Sequence, residues 1–269
     1  MTHLANTAPA ARAEPVLLRA DEGRVATLTL NRPRQYNAIS AALLDALHRE
    51  LDAIAADDSV RVVMITGAGS AFCSGHDLKE MRALASREKV QELFFACSAM
   101  MQKLVALPQP VIAVVNGIAT AAGCQLVAQC DLAVASSTAR FAASGINLGL
   151  FCSTPAVSLS RNLSRKRAAE MLFTGEFIDA PVALEWGLVN RVAPPEQLME
   201  TAHGLADNLK GKPREALALG KALFYRQLEA NLAPAYDDAS RTIAGNMDRD
   251  IAREGVDAFF AKRSPRWED

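Results

Sequence analysis

From Leu104 to Cys130 the chain carries no charged residue. That run is long enough to cross a bilayer if it were helical and apolar throughout. It is broken by Pro108 and Pro110, and it holds Asn116, Gln125 and Gln129. Its strongest apolar segment, Val111–Val115, is strand-length and reads as a buried strand. A small-residue loop, NGIATAAGC, follows, and then a helix near 121–129. A strand, loop and helix buried together need a large core around them. Half of the 269 residues are hydrophobic, so the chain can supply one.

The same alternation runs through the first two thirds of the sequence. Val16–Arg19 and Val25–Leu30 read as strands around the turn signal Asp-Glu-Gly. After the loop NRPRQYNAIS, Ser40 is placed to cap a helix that runs to about Ala55. Leu43, Leu44, Leu47, Leu51 and Ile54 form its apolar stripe. Val60–Thr66 is a buried strand, and GAGSAFCSGHDL reads as a loop. Residues 87–107 form the clearest helix, ended by the two prolines, and Leu132–Ala135 is again strand-like. Strands alternating with helices argue for an α/β fold. From about residue 196 the strand signals stop. Segments 196–209, 213–230, 234–246 and 249–262 all read as helices. The expected organisation is a loose leader over 1–15, an α/β core over 16–195 and a helical C-terminal region over 196–269 that joins subunits.

Several function classes have no support. Lys and Arg number 29 against 30 Asp and Glu, so no charge excess draws the chain to nucleic acid or a membrane surface. The five cysteines (73, 97, 124, 130, 152) form no CxxC and read as reduced core residues. The four histidines (3, 48, 76, 203) form no HExxH, so no metal is expected. The N-terminal MTHLANTAPAARAEP lacks the apolar stretch of a secretory signal. The expected location is cytoplasmic, or the mitochondrial matrix in a eukaryote. GxGxxG fails at Phe72, and neither a P-loop nor a GxSxG elbow occurs.

Two segments point to one chemistry. SAFCSGHDL and NGIATAAGCQL each follow an apolar strand and place small residues before a helix start. Gly75 and Gly123 allow close backbone approach. Main-chain N–H groups are unpaired at helix starts, where the dipole also favours negative charge. Two such groups converging on one oxygen would stabilise an enolate formed from a thioester. Either segment taken alone also fits a plain strand–helix connection.

At these residues the chain resembles the crotonase, or enoyl-CoA hydratase/isomerase, superfamily. The carriers are LNRPRQYNAIS (30–40), VVMITGAGSAFCSGHDLKEM (62–81), PVIAVVNGIATAAGCQLVAQCDLAVAS (110–136), EMLFTGEFIDAPVALEWGLVNRV (170–192) and EGVDAFFAKRSPRW (254–267). The combination of AAGCQLVAQCDLAVAS with GLFCSTP looks most like the enoyl-CoA hydratase domain-containing proteins of the third type. The resemblance implies a spiral of ββα units, a helical trimerisation region, and a homotrimer or dimer of trimers. It implies an acyl-CoA thioester as ligand, with coenzyme A arriving as part of the substrate and no permanently bound cofactor. The family's oxyanion donors fall on the backbone N–H groups of His76 and Ala122. Its coenzyme A contacts fall near Arg34, Ala38, Ser74, Asp77 and Leu78. A guanidinium at Arg34 suits phosphate oxygens.

The match breaks at the acid–base pair. Hydratases of this family use two glutamates, and their places are taken here by Gln125 and Gly145. An amide neither gains nor loses a proton usefully near pH 7, and glycine has no side chain. Cys152 or Ser153, in the divergent turn GLFCSTP, could face the thioester instead, or could simply cap a helix and fill the core. A reactive Cys152 would need a lowered thiol pKa. The imidazole of His76 could donate a proton, or could be a satisfied surface-loop side chain. Three functions remain open on this reading: an acyl-CoA enzyme of fatty-acid metabolism, a non-catalytic acyl-CoA binder, and a thioesterase-type hydrolase.

Overall fold

A computed structural model describes residues 14–267, so most of the expected leader lies outside the described residues. The strands are β1 (Leu17–Glu22), β2 (Val25–Leu30), β3 (Val62–Gly67), β4 (Ala71–Cys73), β5 (Val111–Val115), β6 (Ile118–Thr120), β7 (Leu132–Ser136), β8 (Arg140–Ala142), β9 (Ile178–Asp179) and β10 (Arg191–Ala193). The helices of the first two thirds are α1 (Ala41–Ala55), α2 (Leu78–Ala83), α3 (Arg87–Ala106), α4 (Ala122–Gln129), α5 (Ser153–Asn162), α6 (Arg165–Thr174) and α7 (Ala180–Trp186). The last third holds α8 (Leu198–Lys210), α9 (Arg214–Leu228), α10 (Leu232–Met247) and α11 (Asp250–Phe260).

The strands form two sheets. The larger has the order β1-β2-β3-β5-β7-β10, and the smaller β4-β6-β8-β9. All pairings are parallel except β1 with β2 and β8 with β9. Each turn of the chain lays one strand on the large sheet, a short strand on the small sheet, and then a helix. Repeating that unit from β3 to α5 winds a spiral. The apolar runs of β3 and β5 are explained by burial on both faces, as parallel sheets require. Residues Val62–Ile65 and the whole of β5 are buried.

Residues 71–73 and 118–120 read as loop in the sequence and are strands β4 and β6. Three residues are too few to show a period of two. Their pairing comes instead from the next turn of the spiral, with Ala71 opposite Ile118 and Ile118 opposite Arg140.

Helix α1 forms as its sequence dictates. The Ser40 side chain accepts a hydrogen bond from the Leu43 N–H at 3.2 Å, and all five residues of the predicted stripe are buried. The main core lies between the sheets and α1, α3 and α4. A second core forms on the other face of the large sheet. There Val62, Met64, Ile112, Val114 and Val134 meet Leu198, Ala202 and Ala206 of α8. Helix α8 therefore belongs to the core, although its composition groups it with the C-terminal helices.

Beyond α8 the helices hold little core of their own. Helices α9 and α10 contain no buried residue, and α11 contains only Ala258. Phe224, Leu232, Tyr236, Ile243, Phe259 and Phe260 are exposed along them. All five cysteines are free and buried. Among the described residues no helix is long and apolar enough to cross a membrane.

Candidate active site

The segment that follows β2 is held by its own polar residues. Asn37, fully buried and with φ of 55°, donates from Nδ2 to Ala68 O at 2.9 Å and Ala71 O at 2.7 Å. Its Oδ1 accepts from the Arg32 N–H at 2.9 Å. The Arg32 guanidinium then donates to Ala38 O at 2.5 Å and to Asp77 Oδ2 at 2.9 Å. Asp77 Oδ1 caps α2 by accepting from the N–H groups of Lys79 and Glu80. Arg32 and the cap together hold the Asp77 carboxyl below the usual carboxylate range. The Asp77 side chain is thus committed to joining the 31–38 loop to α2.

That joint fixes the backbone around His76. The Ile39 N–H donates to Gly75 O at 2.7 Å, and the Asp77 N–H donates to Ile39 O at 3.0 Å. Between them, the His76 N–H has no acceptor among the described residues. The facing loop reaches the same point. A Cβ on Gly75, whose φ is +95°, would lie 3.0 Å from the Ala121 Cβ and 3.3 Å from the Ala122 nitrogen. Ala121 has φ 50° and ψ −120° at the start of α4, a conformation that costs an L-residue of order 1–3 kcal/mol. Its N–H donates to Ala142 O at 2.9 Å. The Ala122 N–H, first in α4, has no acceptor among the described residues. Two unpaired main-chain donors therefore stand on adjacent loops.

Both donors border a cavity of about 930 Å³. Ten of the site residues expected from sequence line it: Arg34, Ala38, Ser74, His76, Asp77, Leu78, Ala122, Gly145, Cys152 and Ser153. Gln125 does not reach the wall and lies one helical turn behind Ala122. Arg34 is exposed at the cavity, with no acceptor for its guanidinium among the described residues. Met81, Val90, Phe94, Leu148, Leu150 and Phe151 add an apolar lining. No group of three or more His, Cys, Asp or Glu is placed to hold a metal among the described residues.

The side chains near the two unpaired donors are neutral or held so. The His76 ring packs edge-on against Phe94 with centroids 4.9 Å apart. Its Nε2 is buried without a hydrogen-bond partner, so His76 is not a satisfied surface-loop residue. Burial pushes its pKa down to about 4. Gln125 is 3% exposed, and its Oε1 likewise has no partner. The Gly145 N–H donates to the Cys152 sulfur at 3.3 Å. A Cβ on Gly145 would lie 2.6 Å from Leu150 O and 2.8 Å from that sulfur, so a glutamate at 145 does not fit without moving the 150–152 turn. Burial raises the Cys152 thiol pKa, the reverse of what a thiolate nucleophile needs. The Ser153 hydroxyl donates only to Phe151 O, at 3.3 Å, with no base beside it.

Sequence reasoning missed Arg32 and Asn37, whose partners lie 45 and 34 residues away. It also missed Ser144, which lines the cavity and bonds Thr120 Oγ1 at 2.6 Å. Only Asn37 carried a local signal, as an asparagine in a proline-containing turn.

The depressed His76 pKa has a measurable consequence. As pH falls below the ordinary imidazole value near 6.5, the unfolded chain takes up a proton that the folded chain refuses until about pH 4. Stability present at pH 7 is therefore lost on acidification through that window. His76 accounts for a loss of about 2 kcal/mol between pH 7 and pH 5. Urea unfolding at both pH values should show this increment in the native protein and not in His76→Phe. Equal pH dependence in the two would refute it.

Comparison with known proteins places this geometry in context. The family profile described as enoyl-CoA hydratase/isomerase matches residues 20–269. The chain is 46% identical to the mitochondrial enoyl-CoA hydratase domain-containing protein 3 of Rattus norvegicus, over 90% of this chain and 81% of the relative. A solved enoyl-CoA hydratase of Mycobacterium smegmatis superposes with a TM-score of 0.93 at 56% identity, covering 95% of this chain and all of that one. The solved human enoyl-CoA hydratase domain-containing protein 3 gives 0.91 at 42% identity, covering 94% and 100%.

Proposed function

The chain belongs to the enoyl-CoA hydratase/isomerase family, and from that premise we propose that it grips an acyl-CoA thioester by its carbonyl oxygen, between the main-chain N–H groups of His76 and Ala122. The observation that carries this reading is that both donors are unpaired on adjacent loops of one cavity. A carbonyl placed there is polarised toward its enolate. One such donor is typically worth about 10²–10³ in rate. Exposed Arg34 meets the coenzyme A phosphates, and Ala38, Ser74 and Leu78 line the path of the ligand between them. Coenzyme A comes and goes with the substrate, and no resident cofactor or metal takes part.

The chemistry that follows is lyase or isomerase chemistry on an enoyl or acyl thioester, of the kind fatty-acid metabolism uses. It proceeds without the two glutamates that deliver water in standard hydratases. General acid–base help is worth about 10²–10⁴ per group, so hydration should be slower by roughly 10⁴–10⁸ than with both carboxylates present. Isotope-edited Raman spectra of bound butyryl-CoA, labelled at the thioester carbonyl, test the grip directly. The carbonyl stretch should fall on binding. An unshifted stretch in a saturated complex would overturn the assignment of the two donors. Crotonyl-CoA turnover at the rate of a glutamate-bearing hydratase would overturn the role given to the missing pair.

A second reading, a non-catalytic acyl-CoA binder, is favoured by the absence of carboxylates at 125 and 145. It predicts affinity without turnover on any thioester of a panel. A hydrolase has less support, because Cys152 is held protonated and Ser153 lacks a base. The exposed apolar residues of α9–α11 support a homotrimer or a dimer of trimers. The mitochondrial relatives of Rattus norvegicus and Mus musculus support the mitochondrial matrix as the location in a eukaryote.

A further inference from the structure

Strand pairing alone holds the His76 donor loosely. Ile39 and His76 meet in an isolated parallel bridge, outside any strand. Its two hydrogen bonds run from the Ile39 N–H to Gly75 O and from the Asp77 N–H to Ile39 O, so they use the groups on either side of His76. In a parallel pair the residue opposite the bonded one turns its own N–H away. The orientation of this bridge therefore sets where the His76 N–H aims. One further main-chain bond, from the Ser74 N–H to Tyr36 O at 3.0 Å, steadies the bridge from before. Past Asp77 the two segments are joined by side chains, the exposed Glu80 carboxylate accepting from the Ala41 N–H at 2.8 Å, and Arg32.

The Arg32 guanidinium straddles the bridge. One nitrogen donates to Ala38 O at 2.5 Å and the other to Asp77 Oδ2 at 2.9 Å. Ala38 precedes one bridge residue and Asp77 follows the other. The side chains of the ion pair are 15% and 13% exposed, so salt and water screen it little. A guanidinium is a rigid fork that fixes two acceptors relative to each other. The fork is itself held by its main chain, since the Arg32 N–H donates to Asn37 Oδ1 and the Asn37 N–H donates to Arg32 O at 3.0 Å. Arg32 does not line the cavity. Resting on the thioester reading above, we infer that Arg32 is a positioning residue: by clasping Ala38 and Asp77 across the Ile39–His76 bridge, it aims the His76 N–H at the thioester oxygen without touching the ligand.

The carbonyl stretch of bound butyryl-CoA reports the donors themselves and does not follow overall stability while the protein stays folded. In saturated Arg32→Met the native downshift should shrink by about half, one of two donors being misaimed. Butyryl-CoA should bind at most about tenfold weaker, the worth of one hydrogen bond. Asp77→Asn keeps a good cap for α2 while removing the charge that Arg32 grips, and it should lose shift in the same sense. It also reports if Arg32→Met does not fold. The double variant should be no worse than Arg32→Met alone, because either change opens the same clasp. Leu198→Ala, in the second core on the other face of the large sheet, lowers stability away from the clasp and should keep the full shift. A full shift in either folded clasp variant overturns the inference, as does additive loss in the double variant or an equal loss in Leu198→Ala. An unshifted stretch in the native protein takes down the thioester reading and this inference with it.

Discussion

Lys221→Met is expected to lower the free energy of unfolding by about 3–5 kcal/mol, the usual cost of leaving a buried charge without its partner. Lys221 on α9 donates to Asp131 Oδ2 at 2.6 Å, to Leu104 O at 2.8 Å and to Gln109 O at 3.0 Å. The two side chains of the ion pair are 6% and 15% exposed. Asp131 also accepts from Tyr225 Oη at 2.8 Å and from the Val111 N–H at 2.7 Å. Burial lowers the Lys221 pKa, against the pull of Asp131. Since α9 has no buried apolar residue of its own, this cluster ties it to the end of α3 and to the start of β5. Urea denaturation of the variant measures the effect. Adding Asp131→Leu should cost less than the sum of the two single changes, because one residue's loss removes the other's reason to be charged. A loss under about 1 kcal/mol for Lys221→Met alone would contradict the anchoring role.

Gly123→Ala carries the second large effect, on the site as well as on stability. A Cβ at 123 would lie 2.0 Å from Cys73 O and 2.9 Å from the Cys73 Cβ. The first of these is main chain of β4, which cannot swing aside as a side chain can. Overpacking of this kind typically costs 1–3 kcal/mol. Relief requires α4 to retreat from β4, which takes the Ala122 N–H away from His76. A displacement near 1 Å can lose about 10²-fold in rate, and the Raman shift of a bound thioester should vanish with it. Gly220→Ala is the matched control. Its Cβ meets nothing within 4 Å, so in the interior of α9 it should stabilise by about 0.4–1 kcal/mol. Native-like thioester polarisation in Gly123→Ala would show that close packing of α4 on β4 is not what sets the donors.

The contrast between these glycines marks where reading a sequence reaches its limit. Both are small residues in helices, and although the small-residue run around Gly123 allows a close approach, nothing local says which backbone must approach it. Gly123 is required by a strand fifty residues earlier in the chain, whereas Gly220 is required by nothing near it. The same holds for the strands. Five-residue β5 announced itself by an unbroken apolar run, because burial on both faces imprints on composition. Three-residue β4 and β6 had no room for a pattern, and only the pitch of the spiral pairs them.

Amino-acid order alone determined the inventory of chemistry. It set the alternation of strand and helix, the Ser40 cap with the stripe of α1, the small residues before α2 and α4, and the lack of a carboxylate at 125 and 145. These are local properties, written in spacing and residue type. Tertiary structure decided which groups are free to act. It committed the Asp77 carboxylate to Arg32, raised the thiol pKa of Cys152, left His76 Nε2 and Gln125 Oε1 unpaired, and kept two amides from any acceptor. Protonation and hydrogen-bond satisfaction depend on desolvation and on partners distant in the chain, and both exist only once the spiral has closed.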